Sequence, residues 1–239
     1  MLQLENISYQ VQDERGEKTI LKNINLTLKE RFLAFTGPNG GGKSTLAKII
    51  AGILTPTSGK IYLDGEDITH LSITERAQKG ISYAFQQPVR FKGMTVGDLI
   101  RLAAGKNVKI TDACAYLSRV GLCARDYLDR EVNASLSGGE LKRIEIATLL
   151  ARSTKLSIFD EPEAGIDLWS FGSLIKVFED MHEKTQGNIL IISHQERILN
   201  IADKIIVIAD GQVQNQGTKE EILPKLLAAE ACRALTEKL

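Results

Sequence analysis

Cysteine is scarce in this 239-residue chain: Cys114, Cys123 and Cys232 make an odd number with no CxxC spacing. That excludes a disulfide framework and offers no thiol set for a metal, so buried or idle thiols in a reducing cytoplasm are expected. Long apolar runs are missing too. The longest span five residues, Ile205–Ala209 among them, whereas about 20 are needed to cross a bilayer as a helix. Any membrane role is therefore expected to come through a partner, without direct insertion. The opening residues, MLQLENISYQ, lack a basic stretch followed by an apolar segment, so no signal peptide is expected. Net charge is also absent, with 30 Lys+Arg against 30 Asp+Glu. A chain-wide basic footprint for nucleic acid is excluded, although a local patch is not.

What is present is an ordinary globular composition, 43% hydrophobic and 25% charged. The length corresponds to about 1.6 domains of average size, one large domain or a core with an insertion. Leu2, Leu4, Ile7, Tyr9 and Val11 recur at strand spacing, as does ILKNINLTL over 20–28, with Gly16 in a polar stretch that suits a hairpin. Phe32–Phe35, Leu156–Phe159, Ile189–Ile192 and Ile205–Ala209 are short continuous apolar runs, the mark of strands buried on both faces. Helical patterns over 139–152 and 171–184 separate the later ones, which gives an α/β sheet. Between about 88 and 155 strand signals vanish and short helical segments dominate, an α-helical insertion. The expected division is an α/β core over 1–87 and 156–239, with antiparallel strands at its N-terminus and helices at its C-terminus, and a helical subdomain over 88–155. Near the end, Thr218-x-x-Glu221 opens a helix that Pro224 is expected to break or restart.

Gly37-Pro38-Asn39-Gly40-Gly41-Gly42-Lys43-Ser44, followed by Thr45, fits G-x-x-x-x-G-K-[ST]. Glycines let successive backbone N–H groups turn inward around phosphate oxygens, and the helix that follows adds its positive end. Lys43 would reach the β- and γ-phosphates and Ser44 would ligate Mg²⁺. The motif follows a buried-strand run and precedes a helical pattern, the context that this chemistry demands. LSIF over 156–159 delivers Asp160-Glu161 at the carboxyl end of a strand, where open α/β sheets hold ligands. Asp160 would hold Mg²⁺, and Glu161 would orient or deprotonate the attacking water. Leu136-Ser137-Gly138-Gly139-Glu140 precedes an apolar helix. Alone it reads as an N-cap with a flexible lead-in. Beside a phosphate loop it invites a second reading, an anion-attracting helix start that serves a nucleotide on another subunit.

Taken in order, GPNGGGKST (37–45), Gln86 in YAFQQP, LSGGE (136–140), LSIFDE (156–161), AGID (164–167) and His194 in IISHQ resemble an ABC-type ATPase across nearly the whole length. The resemblance implies an α/β fold, a P-loop NTPase core with an N-terminal antiparallel β subdomain and an inserted α-helical subdomain. It implies Mg-dependent ATP hydrolysis by a head-to-tail homodimer, with each ATP held between one phosphate loop and the partner's Ser137, Gly138 and Gly139. On the same basis Gln86 would contact Mg²⁺ or the attacking water and link core to insertion. Asp167 would cross the dimer interface, and His194 would bind the γ-phosphate and steady Glu161. The family's adenine-stacking aromatic falls at Val11. Tyr9, two residues earlier and so on the same face of a regular strand, is either its replacement or a packed core residue.

LSGGE followed by Leu-Lys-Arg, AFQQPV over 84–89 and QERIL over 195–199 are similar to the SufC-type ATPases of iron–sulfur cluster assembly. That likeness implies a SufB- or SufD-like scaffold as partner. Pro162, the Ser193-His194 pair and the tail ADKIIVIADGQVQNQGT look instead like the ATP-binding subunit of a membrane ABC transporter, the alternative load for the same engine. A non-hydrolytic ATP-sensing clamp is the alternative of another class, and Glu161 speaks against it. The insertion carries no long heptad segment, which disfavours a DNA-repair ATPase. From Gln86 to Lys155 there are 12 Lys+Arg against 7 Asp+Glu. This basic excess is either a solvated face, with Lys142 and Arg143 merely flanking the signature helix, or a surface for an acidic partner that includes Arg90 and Lys92.

Overall fold

The structure is a computed structural model that describes residues 1–13, 16–105, 109–152, 154–184 and 187–236. In chain order it runs β1 (Leu2–Asp13), β2 (Gly16–Leu28), β3 (Phe32–Thr36), α1 (Lys43–Ala51), β4 (Ser58–Leu63), β5 (Glu66–Asp67) and α2 (Ile73–Gln78). Then come β6 (Ile81–Ala84), β7 (Phe91–Thr95), α3 (Val96–Ala104), α4 (Ile110–Arg119), α5 (Ala124–Tyr127), β8 (Glu131–Val132) and α6 (Gly138–Arg152). The chain closes with β9 (Leu156–Asp160), α7 (Leu168–Lys184), β10 (Asn188–Ile192), α8 (Glu196–Leu199), β11 (Lys204–Ala209), β12 (Gln212–Gly217) and α9 (Lys219–Thr236). Contacts group these elements into two compact units, residues 1–76 with 190–239, and residues 77–189.

In the first unit, β1 and β2 pair antiparallel from Leu2↔Leu28 to Asp13↔Gly16, and β4 pairs with the other edge of β1. The inward residues Leu2, Leu4, Ile7, Leu21, Ile24, Leu26 and Leu28 are buried, as the alternation requires. The second sheet of this unit has the order β12-β11-β3-β10, with β11 parallel to β3. All five residues of β3 are buried, so its unbroken apolar run reflects burial on both faces. α1 packs Leu46, Ile49 and Ile50 inside and ends at Gly52. Its terminal carbonyls are capped by Arg76, a buried guanidinium that donates to Ile49 O at 2.6 Å, Ile50 O at 2.9 Å and Thr69 O at 2.8 Å. A cation at a helix C-terminus also meets the negative end of the dipole.

The second unit contains a parallel pair, β6 against β9, in register from Ile81↔Leu156 to Ala84↔Phe159. Phe159 meets Phe178 of α7 edge to face, with centroids 5.1 Å apart. α6 packs on α3 and α4, and α5 packs on α4. The stretch in which short helical segments were expected to dominate, without strand signals, also holds a two-stranded antiparallel ribbon, β7 with β8. β8 has two residues and β7 is mostly exposed, so neither leaves an apolar signature. A second expectation fails at Pro224, because α9 runs through it without a break. The missing N–H would have bonded the Glu220 carbonyl. Both residues are exposed in the early turns, while buried Ile222 and Leu223 anchor the helix. The helix opens as expected, with Thr218 N–H donating to Glu221 Oε2 at 3.0 Å.

Candidate active site

In the first unit, the glycine loop between β3 and α1 is built by close approach. Gly37 has φ +126°, and a Cβ there would lie 2.2 Å from the Ile208 carbonyl oxygen. Gly42 is constrained chiefly by its left-handed φ of +102°, and a Cβ there would also crowd Leu21 Cδ2 at 2.6 Å. Only glycine meets both demands. The Gly211 N–H donates to Gly41 O at 3.1 Å, tying the loop to the β11–β12 turn. Pro38, Asn39 and Gly40 form its exposed crest, while Lys43 is buried and Ser44 and Thr45 are half-buried at the helix start. The Lys43 ammonium donates to Gly37 O at 2.7 Å and Pro38 O at 2.8 Å, which holds its charge within the loop.

His194 belongs to the same unit. It follows β10, is exposed, and sits beside buried Ser193, whose Oγ accepts the Gln195 N–H at 3.0 Å. With Thr36, Gly37 and Pro38 it helps line a cavity of about 370 Å³. Tyr9 is half-buried opposite Leu21 on β2, and Val11 lies opposite Lys18. The ladder slips between Tyr9 and Gln10 by one extra residue on β2, Ile20, while β1 keeps its own alternation, with Tyr9 and Val11 half-buried and Gln10 exposed between them.

The second unit brings together Gln86, Asp160 and Glu161. Asp160 ends β9 and is 2% exposed. Its Oδ2 accepts a hydrogen bond from the Tyr83 hydroxyl at 2.6 Å. Burial first, then that bond, pushes the Tyr83 phenol far above its ordinary pKa, so Tyr83 stays a donor at any working pH. Glu161 comes next with φ +46°, a left-handed backbone that a non-glycine residue adopts only at a cost. Gln86 Nε2 donates to its Oε2 at 2.5 Å. Asp167, exposed, precedes α7 and accepts the Phe171 N–H on its carbonyl at 3.0 Å.

Also in this unit, the signature residues open α6. Ser137 N–H donates to Glu140 Oε2 at 2.7 Å and Glu140 N–H to Ser137 Oγ at 3.2 Å, a reciprocal capping box. The Tyr127 hydroxyl donates to Glu140 Oε1 at 2.5 Å, and Arg130, 5.0 Å over the Tyr127 ring, lies 3.3 Å from the same oxygen. The Tyr127 bond above all, then Ser137 and Arg130, holds the Glu140 carboxyl down at about 2. A folded pKa below the unfolded one stabilises the protein above the unfolded value, and that stability is lost as pH falls through the folded one. Wild type should therefore exceed Glu140→Gln in stability at pH 7, with the gap closing as pH drops from 4.5 toward 2. Urea unfolding of both proteins across that range reads it, and a gap independent of pH would refute it.

Sequence reasoning passed over Tyr83 and Glu145, and it weighed Lys142 only as part of a basic surface. Lys142 is not a flank of the signature helix on a solvated face but fully buried, with Glu145 one turn on. Arg90 and Lys92 are exposed, with Phe91 between them 42% exposed. Cys114 is half-buried and Cys123 exposed, and the Cys232 side chain lies outside the described residues. Among the described residues no group of three His, Cys, Asp or Glu side chains is placed to hold a metal, and no helix is long and apolar enough to cross a membrane.

A glycine loop between buried strand and helix, and a second buried strand that ends in Asp160 and is followed by Glu161, define a P-loop nucleoside triphosphatase with an antiparallel β subdomain and an inserted helical subdomain. The profile of the ABC transporter family matches residues 21–164, and the chain belongs to that family. It is an ABC-type ATPase. An uncharacterised ABC transporter ATP-binding protein of Methanocaldococcus jannaschii is 41% identical over 217 residues, covering 87% of this chain and 86% of that one. A probable ATP-dependent transporter of Pyropia yezoensis, ycf16, is 34% identical over 220 residues, covering 85% and 87%. Among solved structures, a dimeric bacterial ABC transporter cassette superposes with a TM-score of 0.83 at 25% identity, covering 92% of this chain and 99% of that one.

Proposed function

We propose that this chain is the ATP-hydrolysing subunit of an ABC transport system, working in the cytoplasm on a membrane-embedded partner. Two copies close head to tail on ATP and relax on hydrolysis. In this reading the loop from Gly37 to Thr45 and Lys43 hold the phosphates, and Glu161 orients the attacking water. His194 meets the γ-phosphate, Asp167 lies at the dimer interface, and Ser137, Gly138 and Gly139 meet the partner's nucleotide. Ser44, Gln86 and Asp160 offer a hydroxyl, an amide oxygen and a carboxylate, hard oxygen donors that suit Mg²⁺. That ion would neutralise phosphate charge in the transition state. The core over 1–87 and 156–239 carries the nucleotide chemistry, and the helical subdomain over 88–155 carries the signature and the partner.

One observation carries the coupling. Gln86, bonded to Glu161, is followed within three residues by the exposed stretch Val89–Lys92, and Leu102 on α3 is 73% exposed. The carboxylate of Glu161 and the exposed residues Val89, Arg90, Phe91 and Lys92 are thus joined through Gln86 by one short segment, which supports a partner docked on that segment. The names of the relatives favour a transporter as that load.

A second reading, a SufC-type ATPase driving a SufB- or SufD-like scaffold, rests on the sequence likeness of Glu140-Leu141-Lys142-Arg143, AFQQPV and QERIL. Purification of the tagged chain from its native host, with and without detergent, separates the two. A membrane subunit recovered in detergent is the expected result. Recovery of a soluble scaffold alone would overturn the transporter reading in favour of the second.

A further inference from the structure

β6 ends at Ala84, so no strand ladder holds Phe85 and Gln86. Two side chains of α6 hold them instead. Glu145 Oε1 accepts the Phe85 N–H at 2.9 Å, and the Lys142 ammonium donates to the carbonyls of Phe85 and Gln86, the latter at 3.3 Å. Lys142 Nζ lies 3.5 Å from Glu145 Oε2, an i,i+3 pair on one helix face. Burial presses the Lys142 ammonium down and the Glu145 carboxyl up in pKa, each opposed by the other's charge. A buried charged pair is weak in itself as a source of stability, so what Lys142 and Glu145 add here is their hold on the Phe85 and Gln86 backbone.

We propose that Lys142 and Glu145 are positioning residues for Gln86. They grip the Phe85–Gln86 backbone from both its N–H and its carbonyl side, and thereby set the Gln86 amide on Glu161. The helix that begins with Ser137-Gly138-Gly139 at one nucleotide is thus fastened, one turn later, to the glutamine serving its own subunit's nucleotide. This rests on the role given to Gln86 above.

The test is Lys142→Met/Glu145→Leu, alone and combined with Gln86→Ala. The apolar pair removes the grip without stranding a buried charge, so the fold survives. Its expected signature is a melting temperature lowered by only a few degrees, as the Phe85 and Gln86 backbone groups turn to water, and a wild-type KM for ATP, with kcat lowered about tenfold to a hundredfold by misplacement of one contact. The triple variant should be no slower than Gln86→Ala. Hydrogen exchange at the Phe85 amide should accelerate while the Ser82 and Ala84 amides, which face β9 in the parallel ladder, stay protected. Wild-type kcat in the apolar pair, losses that multiply with Gln86→Ala, or unchanged exchange at Phe85 would each overturn the proposal. Wild-type turnover in Gln86→Ala would instead overturn the assignment of Gln86, and the catalytic half of this proposal with it.

Discussion

Glu161→Gln should fold and bind ATP as wild type does, lose about 10²- to 10⁴-fold in kcat as a general base is removed, and accumulate as an ATP-bound dimer. The substitution is isosteric, and the glutamine oxygen still accepts from Gln86, so the 2.5 Å contact survives. The left-handed backbone at this position is equally available to glutamine, which leaves the turn after β9 unchanged. What goes is the negative charge and its affinity for a proton. Asp160 keeps its bond to the Tyr83 hydroxyl, so the adjacent carboxylate is undisturbed. Steady-state turnover together with size-exclusion chromatography in Mg-ATP reads both halves of the expectation. Wild-type-like turnover would remove Glu161 from its role and return the ATP-sensing clamp to consideration.

The residues of this site differed in how openly the sequence displayed them. FLAFT before the glycine loop and LSIFD before Glu161 are strands whose residues are all buried, so they stand out as unbroken apolar runs. The loop between β3 and α1 is contiguous in sequence, and the left-handed φ of Gly37, Gly40 and Gly42 is a local demand that shows as glycine, although the close approaches to Ile208 and Leu21 come from the fold. Gln86 and His194 carried no such signal, and only their order among the other motifs marked them. Tyr83 stayed hidden because its partner Asp160 lies 77 positions away, and Glu145 because Phe85 lies 60 away. A tyrosine in an apolar strand and a glutamate inside a helix look ordinary until the fold pairs them. Lys142 misled most. A lysine beside an arginine near a helix start reads as solvated, whereas burial of its whole side chain is decided by α6 packing against the residues that follow β6. β7 and β8 were missed for the opposite reason, since an exposed ribbon this short has little apolar pattern to show.

Gly138→Ala should separate stability from function. Gly138 is the first residue of α6, its φ is not left-handed, and a Cβ added there meets no atom of its own chain within 4 Å. Neither backbone nor packing therefore requires glycine, and alanine in a helix is favoured by up to about 1 kcal/mol. The melting temperature should hold or rise. Gly37 and Gly42 behave differently, because an added Cβ there would strike Ile208 and Leu21 at once. What a methyl at Gly138 would obstruct is an approach from outside, by a phosphate group drawn to the N–H groups at the helix start. Loss of those positioned donors should lower kcat roughly 100-fold. ATP should still bind the glycine loop, and the ATP-dependent dimer should fail to form. Nucleotide titration, analytical ultracentrifugation with Mg-ATP and steady-state turnover on the same preparation give the three readouts. Unchanged turnover with alanine at 138 would mean that no nucleotide reaches this helix, and the head-to-tail dimer would have to be abandoned.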